Sequence, residues 1–278
     1  MDNGVNGSKI VESGYGLVYS TAYGEPYDNC YHDLYNDLFY RDVVFKGKTG
    51  GYYVEVGALD GVVNSQSFIF EKTLGWDGIV VEPNPHWETY LPNNRKCHIS
   101  NSAISSKIGT ATFECRENYG FSGLKSSSNE ARYSDIVREV EVETISLTNL
   151  FDRYNAPNVI DWVSIDTEGA EIDILNQFFS EDSKYKINLL SFETHQFLEA
   201  EDILSKQPFL KIKNPYLDFV KISNAGLLKF NPTTGQLYKT PFVDRIYNDV
   251  SYIDVTYEHY YIHLDYLKDN LHLKKFLI

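Results

Sequence analysis

Two stretches of this sequence place acids beside glycines where a chain must turn. EVGALDG carries Glu55, Gly57, Asp60 and Gly61, and VVEPNP brings Glu82 about twenty residues on. Further along, SIDTEGAE carries Asp166 and Glu168, and SFETH carries Glu193 and His195. Glycine lets a backbone turn sharply and approach a ligand closely. An acid at the end of the following strand typically takes the hydroxyls of a ribose. The first group therefore reads as the binding turn for a nucleotide-like ligand. The second reads as a reaction centre with two alternatives. His195 or Asp166 acts as general base with Glu168 orienting it, or Asp166 and Glu193 hold a divalent cation that lowers the pKa of a hydroxyl. Oxygen ligands of this kind suit magnesium or manganese better than zinc.

These residues need a scaffold that brings strand ends together. YYVEV, GIVVE, IDWVSID and INLLSFETH read as apolar strands, the last two as the buried middle of a parallel sheet. Between the first two, Ser65 caps a helix whose apolar side includes Phe68, Ile69 and Leu74. SLTNLFDRY, EGAEIDILNQFF and LEAEDILS read as further helices. KCHIS, TATFEC and EVEVETI read as strands, the last by its alternation of acid and apolar residues, and LDFVKIS and GLLKFNP as late ones. Upstream, Tyr31, Leu34, Leu38 and Phe39 recur at helical intervals between residues 27 and 46. Alternating strands and helices predict an α/β fold, an open and mostly parallel sheet with helices on both faces. Glu168 and Glu171 also have a plain structural use, as acids complementing the dipole of the helix that follows them.

In such a sheet the ligand lies beyond the carboxyl ends of the strands. A dinucleotide would want a third glycine and a helix N-terminus for its pyrophosphate. Here Glu55 and Asp60 flank the turn and would repel it. They favour S-adenosylmethionine, which carries an ammonium and a sulfonium and no phosphate. A dehydrogenase is thereby disfavoured. A binding protein that has lost activity is the other alternative, disfavoured because the acids and glycines of both groups are present together.

From about residue 30 to 230 the chain resembles the FkbM family of class I S-adenosylmethionine-dependent methyltransferases. The resemblance rests on NDLFYRDVVFKGKTGGYYVEVGALDG, SQSFIFEKTLGWDGIVVEPNP, NSAIS, IDWVSIDTEGAEIDIL and INLLSFETH. Asn36 and Asp37 stand where the family has a Gln-Asp pair, and Gln66 and Ser67 where it has Asn and Thr. The resemblance implies a Rossmann-like methyltransferase fold and methyl transfer to an oxygen, as in sugars, glycan units or secondary metabolites. Asp37, Glu55, Gly57, Ala58, Asp60, Gly61, Ser65 and Asp166 would then serve the methionine side of the cofactor. Glu82 and Pro83 would serve the ribose, and Ser102, Ala103 and Ile104 the adenine. Asp166, Glu168, Glu193 and His195 would carry the chemistry. The loop NYGFSGLKSS, residues 118–127, would lie on the acceptor side.

Bulk properties narrow the partners. The 278 residues carry a formal charge of −14, which disfavours nucleic acid and anionic membrane surfaces. No apolar run approaches the roughly 20 residues a bilayer needs. The opening MDNGVNGSKIVESGYG lacks the basic-then-apolar order of a signal peptide. Three cysteines, Cys30, Cys97 and Cys115, fit no disulfide framework or zinc pattern and point to reduced thiols in a cytoplasmic setting. Residues 1–26 are expected to form a tail or latch and residues 27–235 the catalytic domain. Residues 236–278 are expected to be an extension that packs on the domain or joins two copies.

Overall fold

The computed structural model describes residues 36–127, 134–194, 196–214 and 258–278, and the backbone of 220–223, 226–230 and 237–239. The latch at residues 1–26, Cys30 and the first turns of the helix expected from residue 27 lie outside them. In chain order the strands are β1 (Tyr52–Val56), β2 (Asp77–Val81), β3 (His98–Ser100), β4 (Ala103–Ile104), β5 (Gly109–Arg116), β6 (Gly123–Leu124) and β7 (Ile136–Ile145). Then follow β8 (Val159–Ile165), β9 (Lys186–Glu193), β10 (Phe209–Ile212), β11 (Val220–Ser223), β12 (Gly226–Phe230), β13 (Leu237–Lys239) and β14 (Glu258–His263).

The apolar strands pair into one seven-stranded sheet, in the order β10-β14-β9-β8-β1-β2-β3. From β9 to β3 every pairing is parallel, and β14 runs antiparallel to both its neighbours. The period of two along each strand splits its side chains between two apolar cores. Val54, Val56, Ile79, Val163 and Leu190 enter one, and Tyr53, Val80, Trp162 and Leu189 the other. The fold is therefore the α/β, mostly parallel sheet with two covered faces that the alternation predicts.

The helices are α1 (Asn36–Leu38), continued by a π-helical turn over Phe39–Val44, then α2 (Phe68–Leu74), α3 (Leu91–Asn94) and α4 (Leu147–Arg153). They continue with α5 (Glu171–Ser180), α6 (Phe197–Ser205) and α7 (Leu264–Asp269). Ser67, not the expected Ser65, holds the N-cap position of α2 and makes no side-chain cap bond, while Ser65 Oγ accepts from the Phe68 N–H at 3.0 Å. Downstream of α1, Phe45 packs on Trp76 and Tyr266, which flank the amino end of β2 and the end of β14. Asn36 meets Tyr260 near the start of β14. Helix α1 and its π-turn thus run from the ligand edge of the sheet toward the opposite edge.

The C-terminal segment does not stand outside the domain. Glu258–His263 fills the gap between β9 and β10 and completes the sheet. Its sequence, EHYYIH, hides this. Tyr260 and Ile262 enter one core and Tyr261 the other, but the polar and aromatic residues between them break the apolar run that marks a buried strand. The acid–apolar alternation of β7 places it in a second sheet, β4-β7-β5-β6, with Val142 buried beside Phe113 and Leu124. The late strands β11-β12-β13 form a third. No helix among the described residues is long and apolar enough to cross a membrane.

Candidate functional site

Strand ends converge because backbone bonds tie them. Asp166 N donates to Val56 O at 3.0 Å, and Gly57 N and Ala58 N donate to Val81 O at 2.9 and 3.1 Å. Gly57 has φ +91° and lies against the Asp166 carbonyl, where no side chain would fit. The ends of β1, β2 and β8 are thereby locked side by side. Glu193 ends β9 beside them, and Glu258, the first residue of β14, pairs with it.

The turn spends its own N–H groups on itself. Leu59 N reaches Glu82, Gly61 N reaches Ala58 O, and Val62 N and Val63 N both reach Asp60 Oδ1, at 2.8 to 2.9 Å. A phosphate would find few free donors here, which accords with a ligand that has none. Asp60 is fully buried, and burial raises its carboxyl above the usual range.

Glu55 differs from its expected position beside the ligand. Its carboxylate lies under the turn, accepting from Ser65 Oγ at 2.9 Å, Gln66 N at 2.6 Å and Ser67 Oγ at 2.6 Å. Arg95 meets it at 3.4 Å and meets Glu71 at 2.8 Å. The same guanidinium donates to Gly61 O at 3.0 Å, Tyr53 Oη at 2.7 Å and Ser67 Oγ at 2.7 Å. Glu55 and Ser65 therefore brace the turn from beneath, with a buried arginine as the hub. The negative charge expected beside the turn is largely answered by that arginine.

Glu82 sits at the end of β2 with each carboxylate oxygen fixed, Oε2 by Leu59 N at 2.9 Å and Oε1 by Asn84 N at 2.8 Å. One lone pair on each oxygen remains for a vicinal diol. Burial pushes its carboxyl up to about 7, against the two N–H bonds that pull it down. Pro83 follows it directly. Glu82 N bonds to Ser100 O at the end of β3, which leads into Ser102, Ala103 and Ile104. Ser102 is buried and donates to Glu143, which Arg153 clamps at 2.8 Å through two nitrogens. Ala103 and Ile104 pair with β7.

The acids of the expected reaction centre do gather. Asp166 has its carboxyl raised well above the usual range, first by burial and then by Glu193, Glu168, Glu171 and Glu258. Glu168 adopts φ +60° in the loop between β8 and α5. Glu171 serves that loop rather than the ligand: one oxygen accepts from Thr167 N at 2.8 Å, Thr167 Oγ1 at 2.6 Å and Gly169 N at 3.2 Å. Asp37 is fully buried at the same end of the molecule as these acids. His195 lies outside the described residues. The expected metal at Asp166 and Glu193 is not supported: among the described residues no group of three or more His, Cys, Asp or Glu is arranged to hold an ion.

The loop at residues 118–127 spans the strand ends. Asn84 Nδ2 donates to Ser122 Oγ at 3.3 Å, and Gly169 lies against the Ser127 backbone. Tyr119 stacks on His86 at 4.0 Å beside Trp87. The loop is tied to the segments that follow β2 and β8. Arg95 and Glu258 carry no signal in the sequence, because both matter through contacts with residues far away in the chain.

The residues present fit S-adenosylmethionine: a glycine cradle with few free donors for a phosphate, a fixed carboxylate for a diol, and a row of acids for a cation. Three solved structures that match are low in identity. They are precorrin-6y C5,15-methyltransferase from Geobacter metallireducens GS-15 (11% identity, 86% of this chain and 92% of that chain, TM-score 0.40), the METTL16 methyltransferase domain (10%, 65% and 60%, 0.37) and the cyclase SpnF (8%, 64% and 57%, 0.34). No curated protein matches the sequence. Residues 55–220, more than half of the chain, match the profile of the Methyltransferase FkbM domain, and the chain belongs to that family of S-adenosylmethionine-dependent methyltransferases.

Proposed function

We propose that the protein is an O-methyltransferase acting on a hydroxyl of a sugar, a glycan unit or a secondary metabolite. The observation that carries this reading is Asp166, a carboxyl at the end of β8 whose proton affinity is raised by burial and by Glu193. An alcohol is a weak nucleophile until its proton is drawn off, and a carboxylate of raised pKa is the better base for that task. S-adenosylmethionine, when bound, supplies a methyl already activated on a sulfonium. Asp166 takes the hydroxyl proton as the oxygen accepts the methyl. Glu193 and Glu258 keep the electrostatic potential there negative, and Glu168 orients the acceptor. Glu82 holds the ribose diol, Ser102 to Ile104 border the adenine, and the bonded turn from Gly57 to Gly61 carries the methionine side.

Tyr119 of the covering loop and His86, stacked on each other beside the buried Trp87, give this edge an aromatic character that supports a ring-shaped acceptor such as a sugar. Free thiols at Cys97 and Cys115 support a cytoplasmic setting. The test is transfer of a labelled methyl group to a panel of sugars, phenols, amines and thiols, with wild-type protein and Asp166→Asn. Label on a hydroxyl, lost in the variant, is expected. Label confined to nitrogen or sulfur acceptors would overturn the reading.

A further inference from the structure

The methionine end of the donor is a zwitterion, and the acids of the site answer only half of it. Asp166, Glu168, Glu193, Glu258 and Asp37 offer acceptors for an ammonium or a sulfonium. A carboxylate needs a donor. The strand-end segments 57–67, 82–85 and 166–170 contain no Lys or Arg. The N–H groups of Gly57, Ala58, Leu59, Gly61, Val62 and Val63 are already bonded within the fold. Arg95 is committed beneath the turn to Glu55, Glu71 and Gly61 O.

Among the described residues, Asn36 holds a buried donor at this edge with no partner. Asn36 opens α1 and is 0% exposed. Its Oδ1 accepts from Tyr260 Oη at 2.6 Å and from Asn214 Nδ2 at 3.0 Å. Those two bonds fix the plane of the amide and leave its Nδ2, buried and without a partner. A buried N–H with nothing to bond carries a desolvation cost that a ligand oxygen would remove. Tyr260 joins Asn36 to the row of acids, because Glu258 lies two residues before it on the same strand face. The amide is therefore pre-oriented at the ligand edge by groups from β14 and from the segment after β10.

We propose that Asn36 Nδ2 donates to the α-carboxylate of the donor's methionine moiety. This rests on the reading of the site as an S-adenosylmethionine site. The residue is a binding group and takes no part in proton transfer.

The experiment is calorimetric titration of the full chain with two probes, S-adenosylhomocysteine and 5′-methylthioadenosine. The second keeps the nucleoside and the thioether and lacks the amino-acid end. Asn36→Ala is expected to weaken S-adenosylhomocysteine about tenfold or more while methylthioadenosine changes less than about twofold. Asn36→Asp keeps an oxygen for Tyr260 and Asn214 and replaces the donor with a like charge. It is expected to weaken S-adenosylhomocysteine further, again with methylthioadenosine retained. Retained methylthioadenosine binding doubles as proof that each variant is folded. If both probes weaken alike in both variants, or neither weakens, the assignment of Asn36 is overturned. If wild-type protein binds neither probe, the reading of the site itself falls instead.

Discussion

Gly57 and Asp166 meet backbone to backbone at the floor of the site. A Cβ on Gly57 would overlap the Asp166 carbonyl oxygen and come within 3.2 Å of its carbonyl carbon. Asp166 in turn donates its N–H to Val56 O at 3.0 Å. The cofactor turn and the proposed catalytic acid are thus parts of one rigid junction, so a change in one displaces the other.

Gly57→Ala is the direct test of that junction. The left-handed φ alone costs a side chain about 1–2 kcal/mol, and the overlap adds to it. Urea denaturation should show a loss of at least ~2 kcal/mol. S-adenosylhomocysteine binding should fall by more than tenfold. Near-native stability with near-native binding would mean that the two strand ends move independently.

Arg95 is predicted to be the strongest stability determinant among the charged residues near the turn. Its side chain is fully buried against Glu55 and half-buried Glu71. Removing one partner of a buried ion pair leaves an uncompensated charge, at about 3–5 kcal/mol. Arg95→Met should show a loss of that order by chemical denaturation. Arg95→Lys should recover part of it, since an ammonium cannot reach Gly61 O, Tyr53 and both acids at once. A loss under about 1 kcal/mol for Arg95→Met would show that the turn is held by other means.

Glu82 is predicted to make cofactor affinity depend on pH. Its carboxyl lies at about 7 in the folded protein, above its ordinary value. A ribose diol donates to the ionised form, so binding requires loss of that proton. S-adenosylhomocysteine affinity should rise toward a plateau above pH 7 and fall below it, by up to about tenfold per pH unit. Glu82→Gln should bind more weakly at pH 8 and show no such step. The raised pKa means that the folded state holds a proton the unfolded chain releases. Stability should therefore decline as pH rises from Glu82's ordinary range to about 7, and less so in Glu82→Gln.

Asp166→Asn separates chemistry from binding. Methyl transfer should fall by about 10² to 10⁴, the span a positioned general base supplies. S-adenosylhomocysteine binding should weaken far less than methyl transfer does, because the amide oxygen of the variant still accepts a hydrogen bond from the ammonium. Removing one acid from a like-charged group should also stabilise the fold at pH 8. Because the folded carboxyl holds its proton more tightly than the unfolded one, wild-type stability is present at low pH and lost as pH rises through the folded value. The advantage of the variant should shrink as pH falls. A variant less stable than wild type at every pH would contradict the crowding of Asp166 by Glu193.

Local pattern was enough to reveal the scaffold. Continuous apolar runs marked β8 and β9 because both of their faces are buried, and EVEVETI marked β7 because only one of its faces is. Ser65 before a helical run was read as a cap, and its hydroxyl does take the Phe68 N–H. Glycine spacing placed the turn, since a φ of +91° at Gly57 and +82° at Gly61 is a requirement that residue type discloses. The C-terminal strand was not legible, because alternation of tyrosine with histidine and glutamate does not announce burial.

The sequence by itself determined the strands β1, β2, β8 and β9, the turn, and which acids end which of those strands, because each depends on residues near one another in the chain. Only the tertiary structure decided what those residues face. It put Glu55 under the turn with Arg95, 40 residues away, and carried Glu258 from the C-terminal region to the end of β9. It brought Tyr260 across 224 residues to orient Asn36. Charge, burial and hydrogen-bond satisfaction are properties of neighbours in space, and periodicity along a chain cannot report them.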